Sequence, residues 1–434
     1  MGARILNGRL ALGVAMALIA SADLARAQQY TPAPEATIPE RQSVFERARP
    51  VYEPLGIRLG SFLAYPSARL GETFDSNVFA TTNNTKDDFY TTFSPSIAVR
   101  SDWNVHSVAL QASSQTKRYI SQVSENLTNF AVSGDGRLDI LRNIYVRGGA
   151  GYQLLHEDRS SPDTVNGTKP VEYHVTSANL GYVHEAGRLG ARVDATVDSY
   201  SFNDTTSSTG ATIVQRDRDR IVYAITPRVS YEIVPGYHAF VQASGNARNY
   251  VRRTDVNGFH RNSHGYEVDL GTAIDFTHLI NGEVFAGYLS QLYDDPRLKD
   301  ENGFGFGGNL LWNVTQLTSL RATLARTIEE TTQFATGVGG NFDSSGYLQT
   351  ALKLTAEHEL LRNVLLSAYV SYVNSDFQGI SRTDDQYETN VEGRYLLNRN
   401  LSLNADLTYT KRDSNVVGVS YDRVVGMLAL KAGF

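Results

Sequence analysis

The chain has 434 residues, a formal net charge of -6 and no cysteine. The missing thiols exclude a disulfide framework, a thiolate metal site, a cysteine nucleophile and a lipid anchor on an N-terminal cysteine. The mild charge is spread along the chain without a basic stripe, which excludes the electrostatic pattern of a nucleic-acid-binding protein.

The first residues have the pattern of a secretory signal peptide. Arg4 and Arg9 precede an apolar run from Leu10 to Ala20, and small residues follow up to Ala27. The run is too short for a membrane-spanning helix and has the length of a signal-peptide core. We therefore expect residues 1–27 to be removed and the rest of the chain to be exported.

Residues 28–60 form a segment that we expect to lie in the periplasm. It is rich in proline and typical of a disordered tail. Within it, however, the short amphipathic piece ERQSVFERAR also permits a docking or plug element. The sequence leaves both interpretations open.

From residue 61 to the end, apolar residues recur at every second position. Leu401, Leu403 and Ala405, for example, alternate with Ser402 and Asn404. This period is typical of β-strands with two different faces. Counting such segments predicts about 18 strands, separated alternately by short turns and by long loops.

The predicted fold is all-β, a transmembrane antiparallel up-and-down β-barrel over residues 61–434 in the bacterial outer membrane. Hydrocarbon offers no hydrogen-bond partners, so closure must pair every strand edge. An even number of strands places both termini on the periplasmic side, and outer-membrane lipid and lipopolysaccharide would surround the barrel. A soluble sandwich or propeller would explain the strands, but not the uncharged apolar faces and the alternation of short turns with long loops.

Three kinds of short motif have a structural interpretation. LRN at 141–143 and 361–363 and NRN at 398–400 are expected to form tight turns in which Asn adopts a positive φ. GFGFGG at 303–308 is expected to be a strand whose glycines allow a bend or close packing, because no helix follows it. RDRDR at 216–220 is expected to be a solvated junction between a loop and a strand.

The face opposite the apolar one is expected to line the lumen. Its charged side chains have both signs, and the simplest interpretation is a hydrated wall whose charges pair across strands. The alternative is a path for a polar solute or polymer. The predicted lumen residues are Arg147, Arg192, Asp194, Asp198, Arg228, Glu267, Asp269, Arg321, Lys353, Glu388, Glu392, Arg394 and Asp406.

The last strand resembles the terminal assembly signal of outer-membrane barrels. Val424, Leu428, Leu430 and the final Phe434 share one face. We therefore predict that the barrel assembly machinery recognises this strand.

No residues predict an active site, a cofactor or a metal centre. The nine histidines are scattered, and there is no HExxH motif. His156, His174 and His184 lie near strand ends without a recognisable nucleophile motif beside them. We therefore expect no catalysis.

The start of the barrel, GIRLGSFLAYPSARLGETFDSNVF at 56–79, resembles the opening of the β-barrel porin 2 family. The matching positions are Gly56, Gly60, Phe62, Pro66 and the segment 74–79. The resemblance implies an outer-membrane channel that exports an exopolysaccharide, together with a periplasmic polysaccharide-export protein that residues 28–60 would contact. The alternative is a diffusion porin for small polar solutes, for which the sequence pattern would look nearly the same.

Overall fold

The structure is a computed structural model that describes residues 42–434 except 166, 277–278 and 338–339, and only the backbone of the other residues in 334–343. The predicted signal peptide and residues 28–41 lie outside the described residues. Within the described part of the chain, no helix is long and apolar enough to cross a membrane.

Long antiparallel strands account for most of the described chain. In chain order they are β1 (Phe62–Asp75), β2 (Asp88–Ser101), β3 (Ser107–Tyr119), β4 (Leu127–Leu141), β5 (Ile144–His156), β6 (Glu172–Ala186), β7 (Leu189–Phe202), β8 (Arg220–Val234), β9 (Tyr237–Tyr250), β10 (Ser263–Phe276), β11 (Ile280–Tyr293), β12 (Glu301–Trp312), β13 (Thr318–Glu330), β14 (Gly346–Leu361), β15 (Val364–Phe377), β16 (Thr383–Leu396), β17 (Leu401–Ser414) and β18 (Tyr421–Gly433).

These eighteen strands close into one barrel. Each strand pairs with its neighbours in the chain, and β1 also pairs with β18, with Leu70 opposite Leu430. A short nineteenth strand, Ile57–Leu59, pairs with the start of β1 across a turn at Gly60. The predicted antiparallel barrel is confirmed, and the sheet begins four residues before the predicted boundary at 61.

Apolar side chains lie on the outside of this barrel. On β17 the exposed fractions of Leu403 and Leu407 are 37% and 55%, whereas Asn404 on the opposite face is 4% exposed. The predicted alternation of the two faces is therefore present. A continuous apolar exterior of this kind is stable only against an apolar surrounding. The four residues of the predicted assembly signal, Val424, Leu428, Leu430 and Phe434, are exposed on this outer face.

The predicted tight turns occur where the LRN motifs stand, but their backbone differs from the prediction. Leu141 pairs with Ile144 and Leu361 with Val364, so each turn has two central residues. The asparagines at 143, 363 and 400 are not among the residues with positive φ, so that prediction was wrong. In the two LRN hairpins the incoming strand has a register shift just before the turn, between Asp139 and Leu141 and between Glu359 and Leu361. Such a bulge increases the local twist of the strand.

The glycines of GFGFGG make room for side chains of the neighbouring strand. A Cβ on Gly307 would lie 2.4 Å from the ring of Phe285, and a Cβ on Gly305 would lie 3.1 Å from Leu289. Phe304 lies on the outer face and is 60% exposed. The interpretation of this motif as a closely packed strand is confirmed.

The barrel wall has a seam between β12 and β13 at its long-loop end. Pairing of these strands stops at Gly307 opposite Ala325, and residues 301–306 have no partner in β13. The last residues of β13 turn away from β12.

Buried contacts hold the end of β13 inside the barrel. The Glu330 carboxylate forms an ion pair with Arg248 and accepts a hydrogen bond from the Tyr250 hydroxyl at 2.8 Å, both on β9. Ile328 packs against Leu289, which points inward from β11. The end of β13 therefore narrows the lumen at the long-loop end.

Candidate functional site: the lumen and its two covers

The inner wall carries every predicted lumen residue. The parity of the strand register puts all thirteen on the face opposite the apolar exterior; they are Arg147, Arg192, Asp194, Asp198, Arg228, Glu267, Asp269, Arg321, Lys353, Glu388, Glu392, Arg394 and Asp406. Asp135, also on this face, is exposed to solvent half-way along β4. Solvent therefore has access to the interior at this height.

Many charges of the wall form ion pairs between strands. Nη2 of Arg147 on β5 lies 2.6 Å from Oδ1 of Asp194 on β7, and within β7 Nε of Arg192 lies 2.8 Å from Oδ2 of the same carboxylate. Arg228 on β8 reaches Glu283 on β11, with Nη1 and Oε2 2.8 Å apart. These contacts agree with the simpler interpretation of the wall, in which charges pair across strands.

A loop covers the lumen at the long-loop end. Residues 157–171, between β5 and β6, are called the crossing loop here. Asp158 forms an ion pair with Arg423 on β18, and the Ser160 carbonyl accepts a hydrogen bond from Arg412 on β17. Asp163 accepts a hydrogen bond from Thr331, directly after β13. Because β13 lies eight strands from β5 in a closed sheet of eighteen, the loop spans the mouth.

An arginine of the RDRDR motif, Arg218, binds carboxylates of the crossing loop. The Arg218 side chain is 4% exposed, and its Nη2 lies 2.8 Å from Oε1 of Glu157 and 3.8 Å from Oδ2 of Asp163. Its guanidinium also lies 4.2 Å from the ring centroid of Phe202. The prediction of a solvated junction was wrong, because carboxylates of the crossing loop, some 60 residues earlier in the chain, enclose this arginine.

A second cover lies at the short-turn end. Residues 42–53, called the inner segment here, enter the barrel as an irregular turn, in which Ser43 and Val44 are fully buried. The backbone N–H of Val44 donates to Oγ of Ser319 at 3.0 Å, and that of Phe45 donates to a Glu357 carboxylate oxygen at 2.9 Å. The segment is thus attached to the inner faces of β13 and β14.

Ion pairs strengthen this attachment. Nη2 of Arg49 lies 2.8 Å from Oε2 of Glu359, and Nη2 of Arg321 lies 2.8 Å from Oε1 of Glu46. The Arg394 guanidinium lies 4.8 Å from the Phe45 ring centroid. Of the two interpretations of residues 28–60, the docked element agrees with the contacts of this part.

Some inner cations are absent from the sequence-based prediction. Arg69 on β1 faces the lumen opposite Lys431 on β18, and Arg423 holds the crossing loop. The two-residue period was sufficient to find Arg69, which shares a face with Gly71 and Thr73. The role of Arg423 depends on the fold of a distant loop, and no local pattern indicates it.

Within the described residues, no group of acidic or histidine side chains is arranged to hold a metal ion. Two carboxylates at the long-loop end have protein partners: Asp295 pairs with Arg297 at 2.6 Å, and Asp384 pairs with Arg382 at 2.5 Å.

A protein-family model matches residues 49–434, which includes the whole barrel. The chain belongs to the family described as "Putative beta-barrel porin 2". The closed barrel, its apolar exterior and this membership place the porin in the bacterial outer membrane, as predicted. The coarse function is that of an outer-membrane channel protein.

Several solved structures align with this porin at low identity. The outer membrane protein OpdK from Pseudomonas aeruginosa is 11% identical, with a TM-score of 0.44 over 86% of this chain and 99% of the other. OccK2 (OpdF) from the same organism is 9% identical, with a TM-score of 0.45 over 86% and 97%. The siderophore receptor PiuA from Acinetobacter baumannii is 11% identical, with a TM-score of 0.45 over 87% and 82%. Among curated proteins, none matches this sequence.

Proposed function

We propose that this porin is a diffusion channel for small polar solutes. The observation that carries the proposal is the crossing loop, which Asp158, Ser160 and Asp163 anchor to the far side of a charged inner wall. A loop folded into a barrel leaves passages beside it that pass small molecules and hinder large ones. Charged walls favour polar solutes over apolar ones because they retain water.

The orientation of the channel follows from its two kinds of connections. Bacterial outer-membrane barrels have short turns in the periplasm and long loops outside the cell. In this orientation the crossing loop covers the extracellular mouth, and the inner segment covers the periplasmic mouth. A solute then passes two constrictions with the ion-paired wall between them.

Export of an exopolysaccharide, expected from the family resemblance, finds less support in these contacts. A growing polymer must occupy both mouths at once. The crossing loop holds its position through the buried ion pair Arg218–Glu157, and the inner segment through the half-buried pair Arg49–Glu359. Both would have to leave before a chain of sugars could pass, whereas small solutes need no such displacement.

Reconstitution in lipid vesicles tests the proposal. Swelling rates with a series of neutral sugars, from a pentose to a hexasaccharide, should fall steeply with solute size. Vesicles prepared in the same way without the porin provide the background swelling rate. Equal rates for a pentose and a hexasaccharide, or no swelling with any solute, would contradict a small-solute channel.

A deletion strain separates the two functions in the cell. We expect the strain to secrete normal amounts of polysaccharide and to take up small polar nutrients more slowly when they are scarce. Loss of secreted polysaccharide with unchanged nutrient uptake would support export instead.

A further inference from the structure

We propose that Arg69 and Lys117 form a binding subsite for the carboxylate of small organic acids on the inner wall. The inference rests on the proposed function and names a class of solute for it. A recess of about 20 Å³, large enough for one carboxylate oxygen, lies between β1, β2, β3 and β18 and is lined by Arg69, Thr73, Tyr90, Gln115, Lys117 and Met427 among others.

The strand register explains how the recess forms. Gly71 on β1, Thr92 on β2 and Lys117 on β3 lie side by side in one row. Gly71 lines the recess between Arg69 and Thr73, and a Cβ there would lie 2.9 Å from that of Ala429, so only glycine fits this position of the wall. The two cations therefore border the same opening from different strands.

Lys117 is a buried cation without a carboxylate partner. It is 8% exposed, and the described residues include no acidic oxygen within 4 Å of it. Its ammonium nitrogen lies over the Tyr90 ring, 5.4 Å from the ring centroid. A buried ammonium group is expensive unless an anion or water compensates it.

Further polar groups in the recess also have no partner in the described residues. They are Nε of Arg69 and the hydroxyl of Thr73, which is 2% exposed. The only hydrogen bond that Arg69 donates there is a weak one to the Met427 sulfur at 3.6 Å. A carboxylate between these donors would accept charge-assisted hydrogen bonds from them.

The carboxylates that interact electrostatically with these cations are already paired with other groups. Asp158 interacts with Lys117 but forms its ion pair with Arg423. Glu392 and Asp406 interact with Arg69, but Glu392 pairs with Arg394 and Asp406 accepts a hydrogen bond from Asn390. Arg69 and Lys117 can therefore bind the anion of a solute in the lumen.

The position of the recess suits a solute path. Lys117 lies towards the long-loop end near the anchor of the crossing loop, and Arg69 lies lower on the wall, directly opposite Lys431. An acid that passes the crossing loop meets Lys117 first and then the pair of Arg69 and Lys431, which are register partners on β1 and β18.

Flux measurements on three variants test the subsite. Lys117→Gln and Arg69→Gln each remove one cation of the recess and keep a polar side chain of similar length. Arg100→Gln is the matched control, because Arg100 is an inner-wall cation near the short-turn end, beside Tyr65 and outside the recess. Vesicles are loaded with benzoate or with glucose, and the release of each is followed.

We expect Lys117→Gln and Arg69→Gln to slow benzoate release at low concentration about tenfold, because one hydrogen bond to a charged group contributes about 1.5 kcal/mol. Glucose release should stay unchanged in both variants, and Arg100→Gln should alter neither solute. Inorganic phosphate should compete with benzoate less well than acetate does.

The outcomes distinguish the subsite from the channel function. An equal loss of benzoate and glucose flux in Lys117→Gln, or the same selective loss in Arg100→Gln, would overturn the subsite while the channel remains. Stronger competition by phosphate than by acetate would overturn the carboxylate assignment. Absence of both fluxes in the wild type would instead overturn the proposed channel.

Discussion

Nη1 of Arg423 on β18 lies 3.3 Å from Oδ1 of Asp158 in the crossing loop. The same guanidinium also contacts Asp75 on β1, with Nη2 and Oδ2 2.6 Å apart. One cation therefore connects the loop to the two strands that close the barrel. The position of the crossing loop depends on this contact.

Asp158→Asn should loosen the crossing loop, because the amide keeps the size of the side chain and removes the charge that Arg423 binds. We expect a larger single-channel conductance with more frequent transitions between levels in planar bilayers. Asp413→Asn is the control, since Asp413 belongs to an exposed pair with Lys411 at 2.9 Å. Identical conductance in the two variants would contradict the role of the Asp158 contact.

The same contact should persist in mild acid. Burial alone would raise the pKa of Asp158, but Arg423, Lys117 and hydrogen bonds from Ser160 lower it from 3.8 to about 2. A lowered pKa means that the contact is fully present above pH 3.8 and is lost only as the pH falls towards 2. The crossing loop should thus stay in place between pH 7 and pH 4.5.

A spin label measures this stability, because the chain has no cysteine and Thr164→Cys gives a single labelling site in the crossing loop. The nitroxide spectrum should be the same at pH 7 and pH 4.5. Adding Asp158→Asn should increase the label's mobility at both values. A sharp mobile component at pH 4.5 without that substitution would show that another group controls the loop.

The inner segment should restrict the mouth at the short-turn end. The double substitution Phe45→Ala and Arg49→Ala removes the ring beside Arg394 and the ion pair with Glu359. Conductance should then increase, and the size limit in the sugar series should shift upwards. Arg58→Ala, which breaks an exposed pair with Asp102, is the control and should behave like the wild type.

The two faces of β17 can be distinguished by one pair of substitutions. Leu403→Arg places a charge against hydrocarbon, at a cost of about 2 to 4 kcal/mol near the bilayer midplane. Ser402→Arg places the same charge in the lumen. Folded, heat-modifiable barrel on gels should decrease for Leu403→Arg only. Equal yields of the two variants would mean that these faces are assigned the wrong way round.

Two glycines of the GFGFGG motif should differ in their tolerance of a side chain. Gly307→Val would clash with Phe285, and overpacking of this kind costs about 1 to 3 kcal/mol. No atom lies within 4 Å of a Cβ at Gly303, so Gly303→Val should be accepted. Urea unfolding of the refolded porin in detergent measures both. Equal destabilisation would argue against close packing as the reason for Gly307.

Most of the barrel could be predicted from sequence because its signal is local. Alternation at every second residue assigns Leu403 and Ser402 to opposite faces, and the short Asn-rich corners mark the turns. The φ angle of Asn143 was predicted wrongly because a bulge in the preceding strand changes the geometry of the turn. The local sequence does not show that a bulge will form before the turn.

The covers of the lumen could not be predicted because their contacts join distant parts of the chain. Arg218 looks like part of a solvated charge run until Glu157 and Asp163 enclose it. The inward turn of β13 likewise depends on Glu330 meeting Arg248, more than 80 residues earlier. A pattern of hydropathy contains no information about such pairs.

The inner segment also bears on how the barrel is assembled. It precedes β1, yet its contacts at Ser319, Glu357 and Glu359 belong to strands some 275 to 312 residues later. The inner segment can therefore dock only after β13 and β14 have joined the barrel wall. In a partly assembled barrel that lacks these strands, it would remain accessible to proteases.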